Sequence, residues 1–207
     1  MDYVLAASAA AGLPPINVAP NQGKMLQILA RTIGVRRILE IGTLGGYSTI
    51  WLARALPLDG RIVTLERDLQ AADVARANFK HAGVSELVDV RVGPALDSLV
   101  EMHAWAEAPF DFIFIDADKP SNPGYVAWSL KLIRAGGLIV IDNVVRNGAI
   151  ADPAIEDPGV IGVRRMNELI ARTRGVTATS IQTVGAKGYD GFTLLFVEPF
   201  ESGFQNR

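Results

Sequence analysis

Two short runs, apolar at every position, constrain this chain more than anything else in it. Phe112-Ile113-Phe114-Ile115 stops at Asp116-Ala117-Asp118-Lys119, and Leu138-Ile139-Val140-Ile141 stops at Asp142-Asn143. An unbroken apolar run too short to span a membrane reads as a parallel strand covered on both faces. Open parallel sheets bind ligands beyond the carboxyl ends of their strands. If the two strands are neighbours, Asp116, Asp142 and Asn143 meet there as oxygen donors. Such a set suits a hard cation of the Mg²⁺ or Ca²⁺ kind, with positions left open for water or substrate. Lys119 follows the first carboxylate closely enough to act on whatever that cation holds.

Around these runs strand and helix patterns alternate. Apolar residues at helical spacing (Met25, Ile28, Leu29, Ile33) run from Pro20 to a stop at Gly34. Strands are expected at 37–41, 61–65, 87–92, 110–115 and 138–141, with helices at 47–56, 68–83, 94–107, 125–134 and 160–173. Asp68 is placed to cap its helix and Gly83 to end it. Segments 143–159 and 184–190 read as loops flanking the strand ends and are candidates for shaping a substrate pocket. The last two strands, 177–183 and 192–197, have no helix between them and are expected to pair as an antiparallel hairpin at one edge. The pattern predicts an α/β, doubly wound, mostly parallel sheet in a single domain spanning 1–207.

Composition narrows the function. A formal net charge of −2 gives no electrostatic case for nucleic acid or an anionic membrane. The absence of cysteine rules out a disulfide scaffold, thiolate metal ligands and a Cys nucleophile, and fits a reducing compartment. The Ala-rich start lacks a basic leader, carries Asp2 and runs into Pro14-Pro15, so no signal peptide is expected and the reading is cytoplasmic. His81 and His103 read as isolated helix-surface residues, Asp111 as solvated, Asp118 as a brace of its loop, and Arg164-Arg165 as a solvated or interface face.

Glycines 42, 45 and 46 lie between the first strand and its helix, where they permit a tight turn and close approach of a ligand. Gly42, Leu44 and Tyr47 occupy the three positions of a G-x-G-x-x-G pattern, so a dinucleotide pyrophosphate is disfavoured. Glu40, at the end of the first strand, repels phosphate and attracts an ammonium. Glu66 closes the second strand where a carboxylate can accept both hydroxyls of a ribose. An adenosine joined to an amino acid, as in S-adenosylmethionine, meets all three conditions.

At this point the chain resembles a known family. Glu40-Ile41-Gly42-Thr43-Leu44-Gly45-Gly46-Tyr47-Ser48, Leu65-Glu66, Gly93-Pro94-Ala95-Leu96, Asp116-Ala117-Asp118-Lys119 and Asp142-Asn143 stand in the order of the cation-dependent O-methyltransferases, the group of catechol and caffeoyl-CoA O-methyltransferases and their bacterial relatives. Asn17-Val18, Gly23 and Asp190-Gly191-Phe192-Thr193 also match. The resemblance implies a seven-stranded, Rossmann-like sheet with an antiparallel last strand, S-adenosylmethionine as donor, and a homodimer. It assigns Val18 and the 42–48 turn, Tyr47 and Ser48 included, to the methionine part of the donor, Glu66 to the ribose and Ala95 to the adenine. Asp116, Asp142 and Asn143 become metal ligands, Asp116 also bordering the donor, and Lys119 the catalytic base. Three departures stand out: Thr193 where catechol O-methyltransferases carry a substrate-binding Glu, Arg146 in place of an aromatic residue, and a short segment ahead of Leu13, for which three readings stay open: an open acceptor side, a weaker dimer, or a truncated start.

The implied chemistry is an in-line displacement at a sulfonium methyl by a phenolic oxygen. A phenol of pKa ~10 is roughly a thousandfold under-ionised at pH 7. A chelated cation, Mg²⁺ or else Mn²⁺ or Ca²⁺, favours the phenolate and fixes its position. Two other readings stay open on the residues alone: a non-catalytic module that binds an adenosyl ligand, and a nicotinamide-dependent dehydrogenase on a similar sheet.

Overall fold

A strand covered on both faces has no polar position to spare, and the strands that meet this condition lie at the middle of the sheet. The structure is a computed structural model that describes residues 1–185 and 188–199. In chain order it contains α1 (Asp2–Ala10), α2 (Pro20–Thr32), β1 (Arg37–Ile41), α3 (Tyr47–Ala53), β2 (Arg61–Glu66), α4 (Leu69–Ala82), β3 (Val88–Val92) and α5 (Ala95–Ala104). Then come β4 (Phe110–Ile115), α6 (Asn122–Leu132), β5 (Ile133–Asp142), α7 (Pro158–Arg172), β6 (Val176–Gly185) and β7 (Gly188–Val197). The seven strands form one sheet in the order β3-β2-β1-β4-β5-β7-β6. β1 to β5 run parallel, and β7 is antiparallel to both β5 and β6. This is the doubly wound sheet with an antiparallel end that the strand–helix alternation predicts.

Alternate residues of each central strand feed two separate cores. Phe112 and Phe114 pack with residues of α2, α3 and α4 on one face, while Ile113 and Ile115 pack with residues of α5, α6 and α7 on the other. All four are fully buried. Each such side chain contributes up to ~1.5–3 kcal/mol of transfer free energy, so the middle strands are the rigid floor on which the site is built. Helix ends follow the local chemistry: Asp68 Oδ1 accepts from the Ala71 N–H at 2.9 Å, and Gly83 takes the left-handed φ of +70° that closes α4.

The differences from expectation have identifiable causes. Residues 2–10 form α1, although Val4, Leu5, Ala6 and Ala7 follow one another and no polar face marks a helical period. β5 begins at Ile133, so the residues expected to end a helix start a strand. The last hairpin is longer than expected, since β6 and β7 continue through most of 184–190. Of that stretch, 186–187 lie outside the described residues. Within 143–159, residues 146–151 form short 3₁₀ turns. No helix among the described residues is long and apolar enough to cross a membrane.

Candidate active site

β1 and β4 are neighbours from which the chain winds away in opposite directions, which opens a crevice beyond their carboxyl ends. A cleft of about 740 Å³ lies there. One wall is the turn after β1. Gly42 has φ +101°, and a Cβ on it would sit 2.2 Å from the Asp116 carbonyl oxygen. The glycine therefore lets two strand ends touch at backbone distance. Gly46 has φ +81°, with the Phe79 ring 2.4 Å from where its Cβ would be. The fully buried Asn78 holds the turn from behind, its Nδ2 donating to the Gly45 carbonyl at 2.8 Å.

Glu66 closes the second side. Its Oε2 accepts from the Leu44 N–H at 2.7 Å and the Thr43 N–H at 3.2 Å, and its Oε1 accepts from the Asp68 N–H at 2.9 Å. The carboxylate is thus fixed by three backbone donors that use both acceptor sites of Oε2 and one of Oε1, so Oε1 keeps a lone pair for a hydroxyl in the cleft. Glu40 is placed differently from what its strand-end position suggests. It does not line the cleft; it is fully buried behind Ser48, which does. Ser48 Oγ donates to it at 2.6 Å and Thr64 Oγ1 at 2.7 Å, and Thr49 Oγ1 donates as well. Burial pushes the Glu40 carboxyl up to about 7 against those three hydrogen bonds, with the charge of Asp116 adding to the rise.

The third side carries the acidic pair. Ile115 and Ile141 are register partners in β4 and β5, so Asp116 and Asp142 follow at adjacent strand ends. Asp142 is buried, and burial and then the charge of Asp116 push its carboxyl up to about 7, partly offset by Lys119. Lys119 is itself buried, its Nζ 3.1 Å from Asp116 Oδ1. Asn143 borders the cleft with a left-handed φ of +55°. Two carboxylates act on each other here, with one ammonium acting on both, and Asn143 follows Asp142 in the chain; Asp116, Asp142 and Asn143 offer only oxygen donors of the kind a hard divalent cation takes. Among the described residues no group of three or more His, Cys, Asp or Glu that could hold a metal gathers anywhere, and this site itself brings together two carboxylates.

Of the residues singled out from the sequence, Val18, Gly42, Tyr47, Ser48 and Glu66 line the cleft. So do Ala95, Asp116, Lys119 and Asn143. Asp142 is buried and does not line the cleft. Sequence reasoning missed Tyr125, which lines the cleft and donates its hydroxyl to Asp118 Oδ1 at 2.5 Å, and Gln22, whose side chain hydrogen-bonds Asp142. Neither carries a motif signal; both are brought in by helix packing. Asp118 braces its loop as expected, also accepting from the Ser121 N–H at 3.3 Å.

Other expectations are corrected. Asp111 is not solvated: Arg134 Nε donates to it at 2.6 Å and the Arg36 and Arg37 N–H groups at 2.7 Å each. Arg164 is not a free surface residue, because its guanidinium donates to the carbonyls of Ala149, Ile150, Asp152 and Ile155 and so ties down the segment that follows Asn143. His81 stacks on Tyr3 of α1, with ring centroids 3.7 Å apart. Thr193 is buried away from the cleft and shares a 2.8 Å hydrogen bond with Ser180.

Comparison with known proteins agrees with this geometry. A family model described as O-methyltransferase matches residues 2–196. A catechol O-methyltransferase of Niastella koreensis is 49% identical over 200 residues, covering 95% of this chain and 90% of its own. The crystal structure of an O-methyltransferase from Bacillus cereus in complex with SAH superposes with a TM-score of 0.93 at 55% identity, covering 95% of this chain and 90% of that one. The O-methyltransferase TomG from Streptomyces achromogenes, involved in tomaymycin synthesis and solved with SAM, gives 0.92 at 52% identity, covering 96% of this chain and 89% of that one. A glycine turn set against a strand-end carboxylate pair, and matches that run nearly end to end, lead to one conclusion: the chain belongs to the O-methyltransferase family.

Proposed function

We propose that the chain transfers the methyl group of S-adenosylmethionine to one hydroxyl of a vicinal-diol, catechol-type small molecule, with a divalent cation held by Asp116, Asp142 and Asn143. The observation that carries this reading is the acidic pair at the ends of β4 and β5, of which Asp116 lines the same cleft as the 42–48 turn and Glu66 while Asp142 is buried at the neighbouring strand end. A relative named catechol O-methyltransferase and neighbours solved with SAH and SAM support it. The family match weighs against the nicotinamide reading, and the complete set of Asp116, Lys119, Asp142 and Asn143 weighs against a non-catalytic module.

When bound, the donor supplies an electrophilic sulfonium methyl, and the cation, Mg²⁺ first with Mn²⁺ or Ca²⁺ as alternatives, supplies charge that favours an ionised phenol. The residues of the chain do the rest. Glu66 accepts from the ribose hydroxyls while its three backbone donors hold it still. Val18 and the 42–48 turn enclose the methionine part, with Tyr47 and Ser48 in the wall, and Ala95 lies along the adenine. Glu40 fixes Ser48 and, when ionised above about pH 7, adds negative charge behind the site of the donor's ammonium. Lys119 Nζ, acting as the neutral amine and not as the ammonium that pairs with Asp116, takes the proton of the attacking hydroxyl, contributing as a positioned base of the kind worth ~10²–10⁴-fold. The apolar walls exclude water, which strengthens each of these interactions. A homodimer in the cytoplasm completes the reading by family resemblance.

The test is methyl transfer from S-adenosylmethionine to a panel of vicinal diols, followed by mass spectrometry with EDTA or with added Mg²⁺. Transfer that stops on chelation and returns with Mg²⁺ is expected. Undiminished transfer after exhaustive chelation, or transfer to single phenols and to no diol, would sink the reading.

A further inference from the structure

We propose that Asp190 is a positioning residue for Asn143: its carboxylate holds the turn that presents the Asn143 amide to the cation site. The inference rests on the metal reading above and adds a residue far along the chain.

The segment after β5 is bent into backbone conformations that ordinary side chains avoid. Asn143, Arg146 and Asn147 have φ of +55°, +52° and +55°, whereas among the other described non-glycine residues only Leu44 and Ala106 have positive φ. Backbone of this kind persists only where its surroundings over-determine it. Here one oxygen does most of that. Asp190 Oδ1 accepts from the Val145 N–H at 3.0 Å, from the Arg146 N–H at 2.9 Å and from the Gly191 N–H at 2.9 Å. The Val144 N–H donates to the Gly191 carbonyl at 3.0 Å, and the Asn143 N–H donates to Asp142 Oδ1 at 2.8 Å. Every backbone N–H from 143 to 146 is therefore spoken for, two of them by Asp190. Gly191 makes the approach possible, since a Cβ there would lie 2.6 Å from Val145 Cγ2 and 2.4 Å from the Ile181 carbonyl oxygen.

The bonds to Asp190 are charge-assisted and stronger than neutral ones. Without them the turn loses the anchor that keeps Asn143 in its left-handed conformation, and the amide is free to swing away from Asp116 and Asp142. Removing a partner that orients a ligand typically costs ~10–100-fold in metal affinity.

The experiment measures Mn²⁺ binding by the electron paramagnetic resonance signal of free Mn²⁺, and S-adenosylhomocysteine binding by calorimetry without metal, for the unaltered protein, Asp190→Ala and Asp190→Asn. Asp190→Ala is expected to lose at least ~10-fold in Mn²⁺ affinity with S-adenosylhomocysteine affinity within about twofold. Asp190→Asn, which keeps an acceptor oxygen without the charge, is expected to lose about threefold. Mn²⁺ affinity within twofold of the unaltered protein in Asp190→Ala overturns the proposal, as does an unchanged affinity in Asp190→Asn should the alanine variant not fold. Failure of the unaltered protein to take up Mn²⁺ overturns the metal reading itself and this inference with it.

Discussion

Asp116 and Asp142 stand one residue beyond the Ile115–Ile141 register pair, so two carboxylates end adjacent strands, each in the field of the other. Only one of them has the Lys119 ammonium at 3.1 Å. Asp142, buried and next to a like charge, is pushed up to about 7. Below that pH an incoming cation has to displace a proton from it. Mn²⁺ affinity is expected to rise by up to ~10-fold per pH unit below about 7 and to level off above it. Asp142→Asn should flatten this profile and weaken binding by at least ~10-fold at pH 8. A profile that keeps its slope in the variant would assign the proton to another group.

Lys119 is buried with its ammonium on Asp116, an unusual position for a lysine that serves only the surface. Lys119→Ala is expected to lower kcat ~10²–10³-fold while S-adenosylhomocysteine binds within about twofold of normal. Steady-state kinetics beside calorimetry separates the two. Near-normal turnover would remove Lys119 from the base role, and a parallel loss of donor affinity would point to collapse of the 116–121 loop.

How much of this was legible in the sequence differs from element to element. The runs ending at Ile115 and Ile141 could be read as buried strands because a strand covered on both faces shows unbroken apolarity, whereas their adjacency was a condition that the sheet order meets. The Gly42 turn was legible because only glycine tolerates its φ. What could not be read depends on contacts between distant parts of the chain. Glu40 looks like a strand-end ligand until Ser48, Thr49 and Thr64 fold over it. Arg164 looks solvated until four carbonyls of the 149–155 segment turn toward it. α1 was hidden because its apolar residues have no period, and its place is decided by contacts such as Ser8 against Gly45 and Tyr3 on His81.

The Glu40 carboxyl, raised from 4.5 to about 7 by burial, carries a stability signature of definite sign. Between those values the folded state holds a proton that the unfolded chain releases, so the contribution is full below about 4.5 and is lost as pH rises through about 7. Asp142, raised for the same reason, acts in the same direction over a similar window. Asp111 and Asp118 are lowered, so their contribution is present above the ordinary carboxylate range and is lost only on further acidification. Metal-free protein should therefore lose thermal stability from about pH 5 to pH 7, and Glu40→Gln should reduce that slope. Thermal midpoints measured across this range check it. An identical slope in the variant would mean that Glu40 is ionised throughout.

Gly42→Ala tests the close contact on which the cleft depends. Two penalties act there together. A non-glycine residue at φ +101° is strained, and such strain costs ~1–3 kcal/mol. The new methyl carbon would also start 2.2 Å from the Asp116 backbone oxygen, which can yield only by moving the end of β4. That motion displaces the strand end carrying Asp116 relative to the turn that faces the donor. Gly83→Ala is the control, because φ is +70° there and nothing lies within 4 Å of the added carbon. At ~2–4 °C per kcal/mol for a chain of this size, Gly83→Ala should lower the thermal midpoint by only a few degrees and leave S-adenosylhomocysteine binding untouched. Gly42→Ala should lower the midpoint further and weaken that binding at least ~10-fold. If both variants bind S-adenosylhomocysteine equally well, the contact between the 42–48 turn and Asp116 has no part in forming the donor site.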